Sequence, residues 1–158
     1  MIKKIAITGP ESTGKSEMAQ KLAHYFNTAW VPEYAREYVA ALNRPYTIED
    51  IVTIAREQLK IEQQLEEKAN KLLFCDTALI VPKIWSEFVF NKTIPWIDEK
   101  INTHTYDLYL LMDIDLPWQE DPLREHPYQR KILFSRYYEE LTKNNFPCGI
   151  ISGSRNQR

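Results

Sequence analysis

Glycine is scarce in this chain. Four of its 158 residues are glycine, and two of these, Gly9 and Gly14, belong to one eight-residue segment. The sequence has no tract rich in glycine and serine of the kind that forms flexible linkers, and its length fits one compact domain. We therefore expect a single domain over residues 1–158.

Long apolar runs and an excess of positive charge are lacking too. Even residues 78–90 are interrupted by Lys83 and Glu87, so no segment predicts a membrane span. The formal net charge of -2 argues against nucleic acid or an anionic membrane as a partner. Cys75 and Cys148 have no metal-ligand spacing, which favours two buried free thiols and a reducing, cytoplasmic environment. The oligomeric state stays open.

Five short β-prone runs alternate with helical stretches, a pattern typical of an α/β fold with a parallel sheet. The runs cover residues 5–7, 29–31, 72–75, 109–112 and 149–151. A first helix is predicted from Met18, Leu22 and Phe26 with Ala19 and Ala23 beside them, an apolar stripe that should pack on the sheet. Further helices are predicted over 33–44, from Thr47, and over 78–90, 96–102 and 123–143. We interpret 62–71 as a solvated helix face, and His24, His104 and His126 as ordinary surface residues.

The segment from Gly9 to Ser16 matches the phosphate-loop pattern G-x-x-x-x-G-K-[ST], and it lies between the first β-prone run and the first helical stripe. Backbone N–H groups in such a loop cradle phosphate oxygens, the lysine reaches the β- and γ-phosphates, and the hydroxyl holds Mg²⁺. We therefore predict binding of ATP with Mg²⁺. The predicted nucleotide contacts are Gly9, Glu11, Ser12, Thr13, Gly14, Lys15 and Ser16.

Magnesium needs a second oxygen ligand besides Ser16, and a carboxylate at the end of a neighbouring strand supplies it in related sites. Asp76 follows the run 72–75 and is the favoured residue, with Asp113 and Asp115 as competitors. Asp76 is also a candidate helix cap, a role compatible with metal binding.

Glu33 follows the second β-prone run, where a carboxylate can face a ligand and accept a hydroxyl proton. The alternative is an exposed intrahelical array of Glu33, Arg36 and Glu37, and the residues alone favour neither. Arg124 and Arg130 are candidates for a lid that covers the migrating phosphoryl group. Tyr34, Trp85 or Trp118 could stack on an aromatic base.

Five segments, in the correct order, resemble the ribosylnicotinamide kinase domain of bacterial NadR proteins. Residues 7–16 look like its phosphate loop, Glu33–Glu37 like its EYxRE segment and Asp76–Thr77 like the start of its D-T-D motif. Residues 91–96 resemble a turn of that domain, and 118–124 resemble its W-x-D-D-x-L-R lid motif. The resemblance covers most of the chain.

The resemblance implies a P-loop kinase-like, three-layer α/β/α fold with a five-stranded parallel sheet and a small lid. It implies phosphorylation of the 5′-hydroxyl of nicotinamide riboside by ATP. By the same resemblance, substrate would contact Glu33, Tyr34, Arg36 and Asp76; Asp76 would also lie near Mg²⁺. Arg124 would act from the lid, and the turn containing Arg155 would border the adenine. The catalytic residues would then be Lys15, Glu33, Asp76 and Arg124.

Three departures from that family are visible. Ala78 stands where the D-T-D motif has its second aspartate. We also expect no nucleotidyltransferase domain ahead of the loop, and no closing helix after residue 158. Because Ala78 removes a carboxylate near the substrate, a regulatory ATPase or ATP-binding module without riboside kinase activity is the alternative function. A GTPase is disfavoured, since the nearest approach to N-K-x-D, residues 91–94, ends in isoleucine.

Overall fold

A single parallel sheet forms the centre of the protein in the computed structural model, which describes residues 1–154 and 156–158. Its order is β2-β3-β1-β4-β5, with every adjacent pair parallel. The five-stranded parallel sheet predicted from the sequence is thus confirmed. The strands are β1 (Lys3–Thr8), β2 (Trp30–Val31), β3 (Leu72–Asp76), β4 (Leu108–Met112) and β5 (Cys148–Ile151).

Helices connect these strands, and within the described residues none is long and apolar enough to cross a membrane. They are α1 (Lys15–Tyr25), α2 (Tyr34–Ala41), α3 (Ile48–Glu66), α4 (Ile80–Phe90), α5 (Pro95–Thr103) and α6 (Arg130–Lys143). Before α3, the backbone N–H of Thr47 donates to the Asp50 carboxylate over 2.7 Å, which fixes the predicted start of that helix.

Successive residues of β1 face opposite sides of the sheet, and each side packs on helices. Ala6 belongs to a buried cluster that includes Ile84 of α4 and Leu133 of α6. Ile7 belongs to another, with Ala19 of α1 and Met112 of β4. Helices therefore cover both faces, which gives the three-layer α/β/α arrangement.

The first helix packs on the sheet through the predicted apolar stripe. Its buried residues are Ala19 and Ala23, and Met18 and Leu22 pack beside Ala19 against Ile7 of β1. Small side chains at the centre of the contact let α1 approach the sheet closely. Phe26 follows the helix end, is 45% exposed and stacks on Phe74 of β3.

The interpretation of 62–71 as a solvated face is wrong at its first residue. Glu62 is 1% exposed and accepts hydrogen bonds from Lys4 at 3.2 Å and Tyr106 at 2.6 Å, with the His104 ring 2.8 Å away. Burial by itself raises the pKa of Glu62, but hydrogen bonding to His104 and Tyr106 and the charge of Lys4 outweigh it and lower that pKa. His104 is therefore part of a structural network. Of the two thiols, Cys75 is buried as predicted, whereas Cys148 is half-buried.

Candidate active site

A cavity of about 610 Å³ opens along the phosphate loop, and that loop, residues 9–16, forms one of its walls. The loop leaves the carboxyl end of β1, which is paired on either side with β3 and β4. Crevices at this edge of parallel sheets are the usual ligand sites of such folds. The other walls come from α2, α3, α4 and the connection between β4 and α6; they include Glu33, Arg36, Tyr46, Trp85, Phe88 and Arg124.

The conformation of the loop depends on its two glycines. Gly9 has φ +135°, and a Cβ there would lie 3.0 Å from the carbonyl oxygen of Met112. Gly14 has φ +81° and caps α1. Both conformations favour glycine. The loop is stabilised internally, because the Thr13 hydroxyl and the Lys15 ammonium donate to the carbonyl of Pro10 over 2.8 Å and 2.9 Å.

Asp76 reaches the loop from the end of β3. Its Oδ2 accepts a 2.5 Å hydrogen bond from the Ser16 hydroxyl, while its Oδ1 is buried and has no hydrogen-bond partner among the described residues. Burial and the nearby negative charge of Glu33 raise the Asp76 pKa to about 6. A buried carboxylate oxygen without a donor, beside a hydroxyl, suits a hard cation such as Mg²⁺, which prefers oxygen ligands.

The competing carboxylates have other partners. Asp113 Oδ1 accepts the N–H of Ile114, and Asp115 is bonded to the N–H of Gly153 and, at 2.5 Å, to the guanidinium of Arg158. The described residues include no group of three or more histidine, cysteine or acidic side chains that could hold a metal by themselves. Magnesium bound together with a nucleotide needs few protein ligands, so this finding agrees with the pair Ser16 and Asp76.

Glu33 stands directly before α2 and lines the cavity. Arg36, one turn further, pairs with Asp121 over 2.6 Å, and this ion pair crosses to the connection between β4 and α6. The intrahelical array with Glu37 is therefore not the arrangement that Arg36 adopts. Tyr34 packs against Tyr38 and is not among the described residues that line the cavity, so its contact with substrate stays a prediction.

Residues 116–129, here called the lid segment, lie across the phosphate loop. The Ser12 hydroxyl accepts the N–H of Gln119 over 2.9 Å. Arg124 lines the cavity and donates to the Gln119 carbonyl over 2.6 Å. Arg130 contacts the loop from the first turn of α6, donating to the carbonyl of Ser12 over 3.2 Å. Both predicted lid arginines thus lie near the phosphate loop.

The helix predicted over 123–143 is wrong at its start, because α6 begins only at Arg130 and the lid segment precedes it. Turns at residues 122–123 and 127–128 precede α6; at the first, the N–H of Leu123 donates to the Asp121 carboxylate and that of Arg124 to the Asp121 carbonyl. These local bonds, together with Pro122 and Pro127, which have no N–H, compete with a helix.

Aromatic side chains also line the cavity, in contact with residues of the lid segment. The Tyr46 hydroxyl donates to Glu125 over 2.7 Å and accepts from the Trp85 indole over 3.1 Å. Phe88 meets the His126 ring edge-to-face at 4.9 Å, so His126 lines the site and is not an ordinary surface residue. Of the aromatic residues suggested for stacking, Trp85 is the one that lines the cavity. No local motif marks Tyr46 or Phe88, because Tyr46, just before α3, and Phe88, on α4, are distant in sequence and come together only in the fold.

Two predicted features remain at the edge of the site. Ala78 lines the cavity and is 2% exposed, so an apolar methyl group occupies the position of the missing aspartate. Arg155 lies outside the described residues. Three positions later in the sequence, the Arg158 guanidinium donates to the carbonyls of Thr13 and Asp113 over 2.5 Å and 3.1 Å, which connects Arg158 to the phosphate loop.

The chain is similar to known proteins over nearly its whole length. The family model described as an AAA domain matches residues 4–158. The trifunctional NAD biosynthesis/regulator protein NadR of Salmonella typhimurium is 30% identical over 152 residues, which cover 91% of this chain and 37% of that protein. The chain therefore spans little more than a third of this relative.

Two crystal structures show the same fold. One is NadR protein in complex with NR, with a TM-score of 0.87 and 23% identity over 98% of this chain and 46% of that one. The other is NadR protein in complex with NAD and AMP-PNP, with a TM-score of 0.80 and 21% identity over 98% and 45%. At these identities the likeness concerns the fold, which is that of a P-loop kinase-like domain.

Proposed function

We propose that this chain, which belongs to the AAA domain family, is an ATP-dependent kinase that phosphorylates the hydroxyl of a nucleoside-like small molecule, nicotinamide riboside. One observation carries the proposal: a single cavity of about 610 Å³ is lined by the phosphate loop, by the Glu33 carboxylate and by the aromatic side chains of Tyr46, Trp85 and Phe88. A binding module for ATP alone has no need of such an aromatic lining. The NadR structures with NR and with AMP-PNP support the two ligand classes.

Each of the site residues has a separate role in the proposed phosphoryl transfer. Lys15 leaves the Pro10 carbonyl when nucleotide binds. Its ammonium and the Arg124 guanidinium then stabilise the negative charge of the transferring phosphoryl group. Ser16 and Asp76 would hold Mg²⁺, whose positive charge would help to offset the negative charge of the phosphates. The oxygen of the acceptor hydroxyl forms a bond to the γ-phosphorus as the bond from that phosphorus to ADP breaks. Glu33 accepts the proton that this hydroxyl loses.

The aromatic side chains of the cavity give the acceptor its position. Trp85 and Phe88 offer ring surfaces to a flat base, while the Tyr46 and Glu125 pair supplies polar groups at its rim. Holding base and ribose there directs a hydroxyl toward the phosphate loop, and such orientation accounts for much of the rate in phosphoryl transfer.

Ala78 favours a second candidate, a nucleotide-dependent regulatory ATPase or ATP-binding module. A buried methyl group gives a ribose hydroxyl no hydrogen-bond partner at this point of the wall. In this case ATP is bound or hydrolysed without transfer to a nucleoside.

The two functions are separated by incubating the protein with Mg-ATP and a panel of nucleosides, and following both ADP and the phosphorylated acceptor. The kinase predicts ADP release that depends on nicotinamide riboside or a related nucleoside. Glu33→Gln should lower this rate by about 100-fold or more and keep ATP binding. Glu37→Gln, an exposed carboxylate on α2 outside the cavity, is the matched control. A rate of ADP release that no nucleoside increases would contradict the kinase and support only the second candidate function.

A further inference from the structure

A carboxylate within the phosphate loop is unexpected, because this loop is to hold an anionic triphosphate. Glu11 occupies the third position of the loop and lines the cavity. Its negative charge near phosphate opposes nucleotide binding unless the side chain is directed to other donors. The structure supplies such donors.

Glu11 Oε2 accepts two backbone N–H groups from the lid segment, those of Glu125 and His126, each at 3.2 Å. These residues come directly after Arg124. On the other side of Arg124, the Asp121 carboxylate accepts the Leu123 N–H and pairs with the Arg36 guanidinium. The backbone that carries Arg124 is therefore held from two sides, and Glu11 provides the link to the phosphate loop.

Ser12 makes a separate connection, to Gln119 near the start of the lid segment. Glu11 instead binds the part of the lid that bears the cavity-lining arginine. Because the phosphate loop is fixed to β1 and α1, a bond from its third residue transmits the position of the loop to the lid.

We propose that Glu11 is a positioning residue that clasps the lid segment onto the phosphate loop, sets Arg124 over the transferring phosphoryl group and keeps water from it. This inference rests on the proposed kinase function. Misplacement of a charge-stabilising group by about 1 Å costs on the order of 100-fold in rate. A lid that no longer closes also admits water, which competes with the acceptor for the phosphoryl group.

The clasp itself is tested by hydrogen exchange. In Glu11→Ala the amides of Glu125 and His126 should exchange at least about tenfold faster than in the parent protein, while the amide of Gln119, held by Ser12, should change little. Glu37→Ala, which removes an exposed carboxylate from α2, is the control of equal charge. Unchanged exchange of both amides would overturn the clasp whatever the protein catalyses.

The positioning role is tested by kinetics with Mg-ATP and nicotinamide riboside. Glu11→Ala should lower kcat by about 10- to 100-fold and raise the share of ATP that is hydrolysed without acceptor phosphorylation. Glu11→Gln retains an oxygen that can accept both N–H groups and should stay within about fivefold of the parent. Equal losses in the two variants would mean that charge, and not the clasp, matters.

A double-mutant cycle completes the test, because Glu11 is proposed to act through Arg124. Adding Glu11→Ala to Arg124→Ala should lower kcat by less than about threefold beyond Arg124→Ala alone, and losses that multiply would refute the inference. If the parent protein phosphorylates no acceptor, the proposed function fails, and the exchange experiment still decides whether the clasp exists.

Discussion

Replacing Asp76 by asparagine should stabilise the folded protein at neutral pH while impairing its use of Mg-ATP. Asp76 is 1% exposed, and in the folded state burial and the charge of Glu33 raise its pKa from the ordinary 3.8 to about 6. Above pH 6 the folded protein therefore contains a buried carboxylate whose charge is only partly compensated by Ser16, Lys15 and Arg36. Asparagine keeps an oxygen for the Ser16 hydroxyl and has no charge to bury.

The size and sign of the effect follow from the two pKa values. Because the folded state binds the Asp76 proton more tightly than the unfolded state, stability from this group is fully present below about pH 4 and is lost as pH rises through about 6. The change in pKa from 3.8 to about 6 corresponds to about 3 kcal/mol in the free energy of unfolding, at about 1.4 kcal/mol per pKa unit. Between about pH 4 and about pH 8, the free energy of unfolding of Asp76→Asn minus that of the parent should rise by about 2.5 kcal/mol.

Urea unfolding of both proteins across this pH range, without nucleotide or metal, measures the difference directly. Groups other than Asp76 cancel to the extent that they titrate alike in the two proteins. Glu33→Gln provides a second perturbation, since removing its charge should lower the Asp76 pKa and shrink the pH dependence. A difference in unfolding free energy that is constant with pH would refute the reasoning. With saturating Mg-ATP the order should reverse, because only the parent has the carboxylate that is proposed to hold Mg²⁺.

Two further predictions concern stability. Thr77 and Thr8 each have a buried hydroxyl without a hydrogen-bond partner among the described residues, so Thr77→Val and Thr8→Val should each raise the free energy of unfolding by about 1 kcal/mol in urea titrations. A loss of stability in both would contradict this. Glu62→Gln leaves Lys4 without its buried anionic partner and should lower the free energy of unfolding by about 3 kcal/mol with kcat/KM unchanged, because Glu62 lies outside the cavity. An unaltered denaturation midpoint would show that the buried pair contributes nothing.

Much of the site could be predicted because its central part is contiguous in sequence. The phosphate loop is a local structure, set by two glycines with positive φ and the helix that follows, so Gly9 to Ser16 are recognisable without the fold. For Asp76 the neighbourhood was predictable, because a carboxylate at the end of a parallel strand lies at the same edge of the sheet as the loop, but the same reasoning applied to Asp113 and Asp115 after β4.

Other predictions failed where a residue's partners are distant in the chain. A helix face rich in Glu, Gln and Lys is usually solvated, yet Glu62 is buried because Lys4, His104 and Tyr106 converge on it from three other segments. The start of α6 was placed too early because the N–H groups of the lid segment bond to the phosphate loop and to turns, as those of Glu125 and His126 do to Glu11.

The sequence by itself determined the succession of strands and helices along the chain and the phosphate-binding loop, because hydrophobic spacing and glycine placement act over a few neighbouring residues. Only the tertiary structure decided that Asp76 and not Asp115 faces Ser16, that Arg36 pairs with Asp121, and that Tyr46 and Trp85 meet in the lining of the cavity. These pairings join residues up to 85 positions apart. Their existence depends on how the sheet orders its strands and how the helices pack on it, which no local pattern encodes.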